Sequence, residues 1–158
     1  MTPDLDIGAP DDEFSLFEMA GWSAAGLDAL LVQNGLPAAA VGGAATADNG
    51  DRVLRLSPVV AWAIRAEAAA TAPLPTADGV VVDLASSRVR FRLRGALAAA
   101  LPRIIPVDCS RLDPGRFVAT LIHGIPVTIL KTAGGFELIV VRSFALSLAE
   151  WMVEAAKP

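Results

Sequence analysis

Residues 88 to 94 alternate strictly between arginine and apolar side chains. Val89, Phe91 and Leu93 take the odd positions, and an arginine takes every even position. A period of two is the side-chain spacing of a β-strand, whereas a helix would need apolar residues three and four apart. The chain must therefore contain a strand with one apolar face against a core and a second face that carries four guanidinium groups.

Local patterns elsewhere predict further strands and helices. Ser23 is a good N-cap, and Leu27, Leu30 and Leu31 follow it at helical spacing, which predicts a helix over residues 24–33. Residues 36–51 contain small residues and three glycines and predict a flexible connection. The remaining patterns predict strands over 14–19, 52–56, 59–64, 80–82, 89–93, 117–122, 125–130 and 136–141, and helices over 66–72, over 96–101 before Pro102, and after Ser143 as its N-cap.

The order of these elements in the first half resembles their order in the second. Two related β-α-β-β units, with helices packed on antiparallel sheets, are the economical way to bury the apolar faces, and the fold class is α+β. We expect residues 13–158 to form a single compact domain built of two halves, about 13–75 and 79–156. Residues 1–12 are acidic and contain Pro and Gly, and they predict a flexible arm.

Composition argues against a membrane protein. The hydrophobic fraction is 54%, but 30 of the 158 residues are alanine, which contributes little transfer energy. No apolar run approaches the roughly 18 residues of a spanning helix, and the first residues lack the basic segment of a signal peptide. We therefore expect a cytoplasmic protein that does not contact a membrane.

Charge is unevenly distributed along the chain. Residues 1–51 contain nine acids and no base, whereas the remainder contains eight acids and all 13 bases, 11 of them arginine. The net charge of −4 therefore divides into −9 and +5. An arginine-rich surface favours planar, bidentate contacts with carboxylates. A coding bias that raises Ala, Gly, Pro and Arg together is the alternative explanation.

A single cysteine and a single histidine leave few routes to catalysis or to a metal site. His123 stands in a predicted hairpin turn, so we expect an exposed side chain and no catalytic triad. Cys109 follows Asp108, whose carboxylate raises the pKa of the thiol, so we expect a buried, unreactive side chain. The sequence predicts no catalytic residue and no metal site.

The glycine pairs do not indicate a nucleotide site. Gly42-Gly43 and Gly134-Gly135 lack both the G-x-G-x-x-G spacing and a helix directly after it. No P-loop pattern occurs either. We expect no dinucleotide to be bound by this chain.

Several segments between residues 80 and 156 occur in a characteristic order. The most specific is Arg142-Ser-Phe-Ala145, which enters the terminal helix. The others are Asp83-Leu-Ala-Ser-Ser-Arg88, Gly95, Val107-Asp-Cys109, Asp113-Pro-Gly115, Thr120-Leu-Ile122, the strand from Phe136, Leu148 and Trp151. Together they resemble the gamma subunit of heterotetrameric sarcosine oxidase or of a sibling complex that acts on an N-methyl amino acid. The segment from Arg52 to Pro58 resembles the same family more weakly.

The resemblance implies a fold like the folate-binding domain of the glycine-cleavage T protein. It also implies a complex with alpha and beta subunits and a zinc-binding delta subunit, in which FAD, FMN, NAD and tetrahydrofolate belong to the other chains. In such a complex the amine is oxidised by hydride transfer to flavin and the one-carbon unit passes to tetrahydrofolate. This chain would be a structural subunit that binds no cofactor alone.

A free-standing folate-type ligand-binding module of the T-protein fold is the alternative. The pterin would then need a carboxylate, for which Asp83 and Asp108 are the candidates, although no family motif surrounds either. The two alternatives therefore differ in what the fold binds, which is a partner subunit in the first and a small ligand in the second.

Four guanidinium groups on one strand repel each other unless anions or aromatic rings lie between them. Docking on an acidic surface of a partner subunit is one solution, since arginine is enriched at interfaces. Pairing with the acidic segment from Asp4 to Glu18 is a second, and binding of nucleic acid is a third that a pI near 4.9 opposes. The candidate partner interface comprises Arg88, Arg90, Arg92, Arg94, Arg142 and Trp151. Charge reversal at Arg90 and Arg92 is expected to weaken assembly and leave unfolding unchanged.

Three tryptophans are the other large side chains of an alanine-rich chain. Trp22, Trp62 and Trp151 are predicted to anchor the core, because each can bury roughly 150–250 Å². Trp151 on the terminal helix is alternatively an interface hot spot.

Overall fold

A computed structural model describes residues 14–67 and 71–157, with the backbone only at Ala96, Leu97 and Ile104. The chain divides into two compact units at the boundary between Ala85 and Ser86. The predicted acidic arm, residues 1–12, lies outside the described residues, and so does the middle of the helix predicted over 66–72. The expectation of one compact domain over residues 13–158 stays a prediction.

The first unit is a five-stranded antiparallel sheet with one helix on it. Its core contains Phe17 and Met19 from the sheet and Leu27, Leu30 and Leu31 from the helix. The strands lie in the order β2-β3-β4-β1-β5. The elements are β1 (Leu16–Gly21), α1 (Ala24–Gln33), β2 (Ala44–Thr46), β3 (Arg52–Arg55), β4 (Val60–Ile64) and β5 (Gly79–Asp83).

Helix α1 has the bounds that its sequence predicts. The Ser23 hydroxyl accepts a hydrogen bond from the Gly26 amide at 2.9 Å, which caps the first turn. Gly35, at φ 68, ends the helix just after Asn34.

The second unit is a four-stranded antiparallel sheet in the order β6-β9-β8-β7. Phe91, Leu101, Leu138, Leu148 and Met152 join its strands and helices in one core. The elements are β6 (Arg88–Leu93), α2 (Gly95–Ile104), β7 (Phe117–Ile122), β8 (Ile125–Thr132), β9 (Gly135–Val141) and α3 (Ala145–Ala155).

Both units share one topology, which confirms the predicted α+β class of two related units. In each, a strand and a helix are followed by a three-stranded meander whose last strand pairs with the first strand. The first unit contains five strands where three were predicted: β2 lies inside the segment expected to be flexible, and β5 was assigned to the second half.

Three local predictions were wrong. The strand predicted over Val80–Val82 was grouped with the second half, but β5 pairs with β1 as an outer strand of the first sheet. Helix α2 continues through Pro102 and ends at Ile104, so the proline, which cannot donate to the carbonyl four residues earlier, lies two residues before the helix ends instead of stopping it. Ser143 caps nothing: α3 begins at Ala145 after a short 3-10 turn, and its N-cap residue makes no side-chain bond.

The tryptophans have different environments. Trp62 is buried and donates its Nε1–H to Glu18 Oε2 at 3.1 Å. Trp151 is half-buried against the second core. Trp22 is 71% exposed, so its prediction as a core residue was wrong. It follows the last residue of β1, outside the alternation that buries that strand.

Candidate functional site

Three arginines of the row, Arg88, Arg90 and Arg92, lie on β6 opposite the apolar side chains that enter the core, and Arg94 directly follows the strand. Val89, Phe91 and Leu93 are each at most 3% exposed, as the alternation predicts. The arginines are not equivalent: Arg92 and Arg94 are exposed, whereas Arg90 is only 8% exposed.

The burial of Arg90 corrects the picture of a continuous guanidinium face. Across the sheet, Arg90 is in register with Ile139 and Ile139 with Thr128, and all three are buried. Alternation shows which side of a strand a residue faces but not whether that side is covered. Charge reversal at Arg90 would therefore disturb folding.

Arg92 lies opposite Glu137 of β9. Its Nε is 3.8 Å from Glu137 Oε1, and Glu137 is 8% exposed. Opposite charges at facing positions of an antiparallel pair stabilise a sheet. One member of the row thus has a carboxylate within its own unit.

Arg142 donates hydrogen bonds to the backbone at the start of β6. Its Nε donates to Ser86 O at 2.8 Å and its Nη2 to Arg88 O at 3.5 Å. Arg88 donates from Nη1 to Ser87 Oγ at 3.1 Å. The Arg142-Ser-Phe-Ala145 segment therefore ties the start of α3 to the start of β6.

A cavity of about 250 Å³ borders the exposed end of the row. Arg92, Arg94, Thr132, Gly134 and Glu137 contribute to its lining. Leu93, Ala133 and Phe136 also line it, and Lys131 Nζ lies 4.2 Å from the centre of the Phe136 ring. Two arginines beside one carboxylate give the cavity a net positive lining, which suits a carboxylate-bearing group from outside.

Trp151 stacks on His123, with ring centroids 5.2 Å apart and 24° between the planes. His123 adopts φ 51 and Gly124 φ 81, which makes the tight turn between β7 and β8. The predicted exposed turn histidine is confirmed. The stack joins residues far apart in sequence, so no local pattern could indicate it.

Cys109 is fully buried. Burial and the adjacent Asp108 carboxylate raise the pKa of its thiol, and Lys131 opposes them only in part. A neutral thiol is a poor nucleophile. The predicted burial of Cys109 is confirmed.

The two candidate pterin carboxylates act locally. Asp83 Oδ1 accepts from the Ala85 amide at 2.9 Å. Asp108 Oδ1 accepts from the Ser110 amide at 3.2 Å and from its hydroxyl. Both stabilise turns that enter short 3-10 segments.

Sequence inspection missed a buried ion pair beside a second cavity, of about 260 Å³. Asp51 and Arg65 are joined at 2.6 Å, with 5% and 11% of their side chains exposed. Burial raises the pKa of Asp51, but hydrogen bonds from the Ala66 amide, Arg65 and Asn49 outweigh it and leave the pKa below its ordinary value. The only sequence signal was the Asn-Gly-Asp turn.

Arg55 is a second missed residue, only 6% exposed. It forms an ion pair with Asp28 of α1 and donates from Nη2 to Pro58 O at 2.6 Å. It therefore connects α1 to the loop between β3 and β4. Its strand contains arginine at two of four positions, so the sequence gave no sign that this arginine is buried.

Metal-ligand clusters and membrane-spanning helices are both absent from the described part of the chain. No three His, Cys, Asp or Glu side chains there are grouped so that they could hold a metal ion. No helix there is long and apolar enough to span a membrane.

Comparison with known proteins identifies the fold. No protein-family model matches the sequence, and no curated protein does. A chain in the structure of heterotetrameric sarcosine oxidase from Corynebacterium sp. U-96, in complex with pyrrole 2-carboxylate, superposes with a TM-score of 0.77 at 24% identity. The match covers 93% of this chain and 81% of that chain.

Glycine cleavage system aminomethyltransferase T from Bartonella henselae is a second structural neighbour, with a TM-score of 0.67 at 15% identity. It is covered over 44% of its length, so this chain spans less than half of it, while 91% of this chain is matched. The fold expected from the sequence resemblance is therefore confirmed: this chain has the fold shared by a heterotetrameric sarcosine oxidase chain and part of the aminomethyltransferase.

Proposed function

We propose that this chain is a non-catalytic structural subunit of a sarcosine oxidase-like flavoenzyme complex in the cytoplasm. The observation that carries the proposal is the degree of structural similarity. The chain superposes on the oxidase chain with a TM-score of 0.77 at 24% identity, against 0.67 at 15% for the aminomethyltransferase. The oxidase chain is thus the better match in both backbone and sequence.

The residues with reactive side chains are compatible with a structural role. The Cys109 thiol is buried with a raised pKa, and His123 is stacked on Trp151. Neither cavity described above reaches the roughly 300–1,000 Å³ of typical ligand pockets.

In the proposed complex the chemistry takes place on alpha and beta subunits, beside a zinc-binding delta subunit. FAD, FMN, NAD and tetrahydrofolate would belong to those chains. There flavin would accept a hydride from an N-methyl amino acid such as sarcosine, and tetrahydrofolate would accept the one-carbon unit of the resulting imine. This chain contributes a surface that binds the other subunits. The partner interface is proposed to include Arg88, Arg92, Arg94, Arg142 and Trp151, and to exclude Arg90 because its side chain is buried.

Within that interface, Arg94 is the residue to test. It is exposed, lines the cavity at the end of the row, and precedes the first residue of α2. Arg92 borders the same cavity but faces the buried Glu137, so its reversal would bring two negative charges together. An acidic side chain of the partner would bind between Arg92 and Arg94.

The test is co-expression with the proteins encoded by the neighbouring reading frames, followed by purification through a tag on this chain. We expect a stoichiometric complex that contains flavin, and an isolated chain that contains none. Arg94→Glu should weaken assembly at least about tenfold, whereas Arg103→Glu, an exposed arginine at the other end of α2, should leave it unchanged. An isolated chain that contains stoichiometric flavin would overturn the proposal. Equal assembly of both variants would overturn the proposed interface.

The folate module is distinguished by calorimetry on the isolated chain. Titration with tetrahydrofolate at millimolar concentration should give no heat of binding if the chain is a structural subunit. A saturable signal would instead assign the ligand-binding alternative.

A further inference from the structure

The outer edge of β5 offers backbone hydrogen-bonding groups that its own sheet does not use. β5 is the edge strand of the first sheet and pairs only with β1 there. The Trp22 amide bonds to Asp78 O at 3.0 Å, and the Leu84 amide bonds to Leu16 O at 2.9 Å. These two bonds show which backbone groups of β5 are used by β1. The N–H and C=O groups of its even-numbered residues point toward β1, and those of its odd-numbered residues point away from it.

Of the outward residues, Gly79 pairs with Thr76. The outward N–H and C=O groups of Val81 and Asp83 bond to no other backbone group in residues 14–67 and 71–157. Such an edge is a template for a further strand.

The side chains beside this edge are apolar and exposed. Val80 is 38% exposed and Val82 48% exposed, on the same face of the strand. Ala20, in register with Val80, is half-buried, and Trp22 beyond it is 71% exposed. Proteins protect edges with lysine, proline or a bulge, and β5 contains neither residue.

The charges at the two ends of β5 indicate which kind of strand can pair with its outer edge. Asp78 directly precedes β5 and Asp83 ends it, so carboxylates bracket the apolar pair roughly 17 Å apart. Antiparallel pairing with a second copy of β5 would bring these carboxylates near those of the other copy. A strand with basic residues at both ends would be attracted instead.

We propose that β5 binds an extended segment of a partner polypeptide by strand addition, with apolar side chains beside Val80 and Val82 and a basic residue near each of Asp78 and Asp83. The backbone bonds supply affinity and the side chains supply selectivity. This surface is distinct from the arginine row, and its assignment does not require that the partner be an oxidase subunit.

The probe is a blocked peptide, Lys-Val-Thr-Val-Thr-Val-Lys, titrated into the ¹⁵N-labelled full chain and followed by NMR. We expect saturable shifts centred on the amides of Val81 and Asp83. The same peptide with glutamate at both ends should bind at least about tenfold more weakly. A peptide with N-methylated valines cannot complete the ladder and should not bind; equal binding of all three peptides would overturn the proposal.

Variants locate the site. Val82→Lys should weaken binding at least about tenfold, whereas Val32→Lys, at a 67% exposed position on α1, should not. Val82→Thr keeps strand propensity and serves if the lysine variant does not fold, with a smaller loss expected. Asp83→Asn keeps an oxygen for the Ala85 amide and should reduce the preference for the lysine-ended peptide.

Sedimentation velocity separates a partner from a second copy. We expect a monomer across the concentration range of the titration. A concentration-dependent dimer that Val82→Lys abolishes would assign the edge to self-association and overturn the proposal. Neither measurement involves a flavoprotein, so failure here is distinguishable from failure of the proposed complex.

Discussion

At the scale of single residues, the largest consequences come from charges that are buried with partners. Asp51 and Arg65 illustrate this, because each is deprived of water and depends on the other. Removing one member of such a pair leaves the other uncompensated, which costs far more than losing an exposed salt bridge. Exposed charges nearby, such as Asp48, make good controls.

Asp51→Asn should lower the free energy of unfolding by about 3 kcal/mol, because the Arg65 guanidinium loses its carboxylate. Urea denaturation of the full chain measures this change. Asp48→Asn, three residues earlier and exposed, should change it by less than about 0.5 kcal/mol. Equal effects of the two substitutions would contradict a stabilising role for the pair.

The lowered pKa of Asp51 also predicts a pH dependence. The unfolded chain takes up the proton first as pH falls, so the stabilisation is present above the ordinary aspartate pKa of about 3.9 and is lost as pH falls through the lower folded value. The wild-type chain should therefore lose more stability than Asp51→Asn below about pH 4. Parallel stability curves for the two proteins over that range would show that Asp51 does not contribute.

Cys109 predicts the opposite dependence. Its folded pKa is raised, so its contribution is present below the unfolded thiol pKa of about 8.5 and is lost as pH rises through the folded value. Cys109→Ala should make the alkaline loss of stability shallower, as measured by thermal unfolding between about pH 8 and 10. Its overall stability at neutral pH should fall, because the buried sulfur leaves a small cavity.

At the scale of elements, the turn between β8 and β9 depends on one of two adjacent glycines. A Cβ on Gly135 would lie 2.0 Å from Leu93 O, the backbone of a neighbouring strand. A Cβ on Gly134 would meet nothing within 4 Å. Both look alike in the sequence, and they are distinguished by the approach of β6 and by the positive φ of 155 at Gly135.

Gly135→Ala should destabilise the chain by about 3 kcal/mol, because backbone atoms must move to admit the methyl group. Gly134→Ala should change stability by less than about 0.5 kcal/mol. Chemical denaturation of both variants measures the difference. A Gly135→Ala protein as stable as its neighbour variant would mean that β6 and this turn lie further apart.

Elements also show where local information ends. Ser23, the leucine spacing and Asn34-Gly35 all lie within one short segment, so α1 could be predicted to the residue. β2 contains only Ala44–Thr46 and forms because β3 supplies its hydrogen bonds. A three-residue strand has too few side chains to show a period.

At the scale of the whole molecule, the prediction of one domain over residues 13–158 has a measurable consequence. A single domain of this size unfolds in one cooperative step. Asp51→Asn in the first unit and Gly135→Ala in the second should then both shift the same transition, recorded by fluorescence and by circular dichroism. Two transitions, each moved by only one of the substitutions, would show that the units unfold separately.

The sequence by itself determined the α+β class, the repeated order of strands and helices, and most element bounds, because these follow from side-chain periods and caps within short segments. It also placed the arginines on one side of β6 and Cys109 in the interior. Only the tertiary structure decided which arginines are buried, that Trp151 stacks on His123, and that Asp51 pairs with Arg65. Those outcomes depend on contacts between residues distant in sequence, where burial and partner are set by packing that no local pattern encodes.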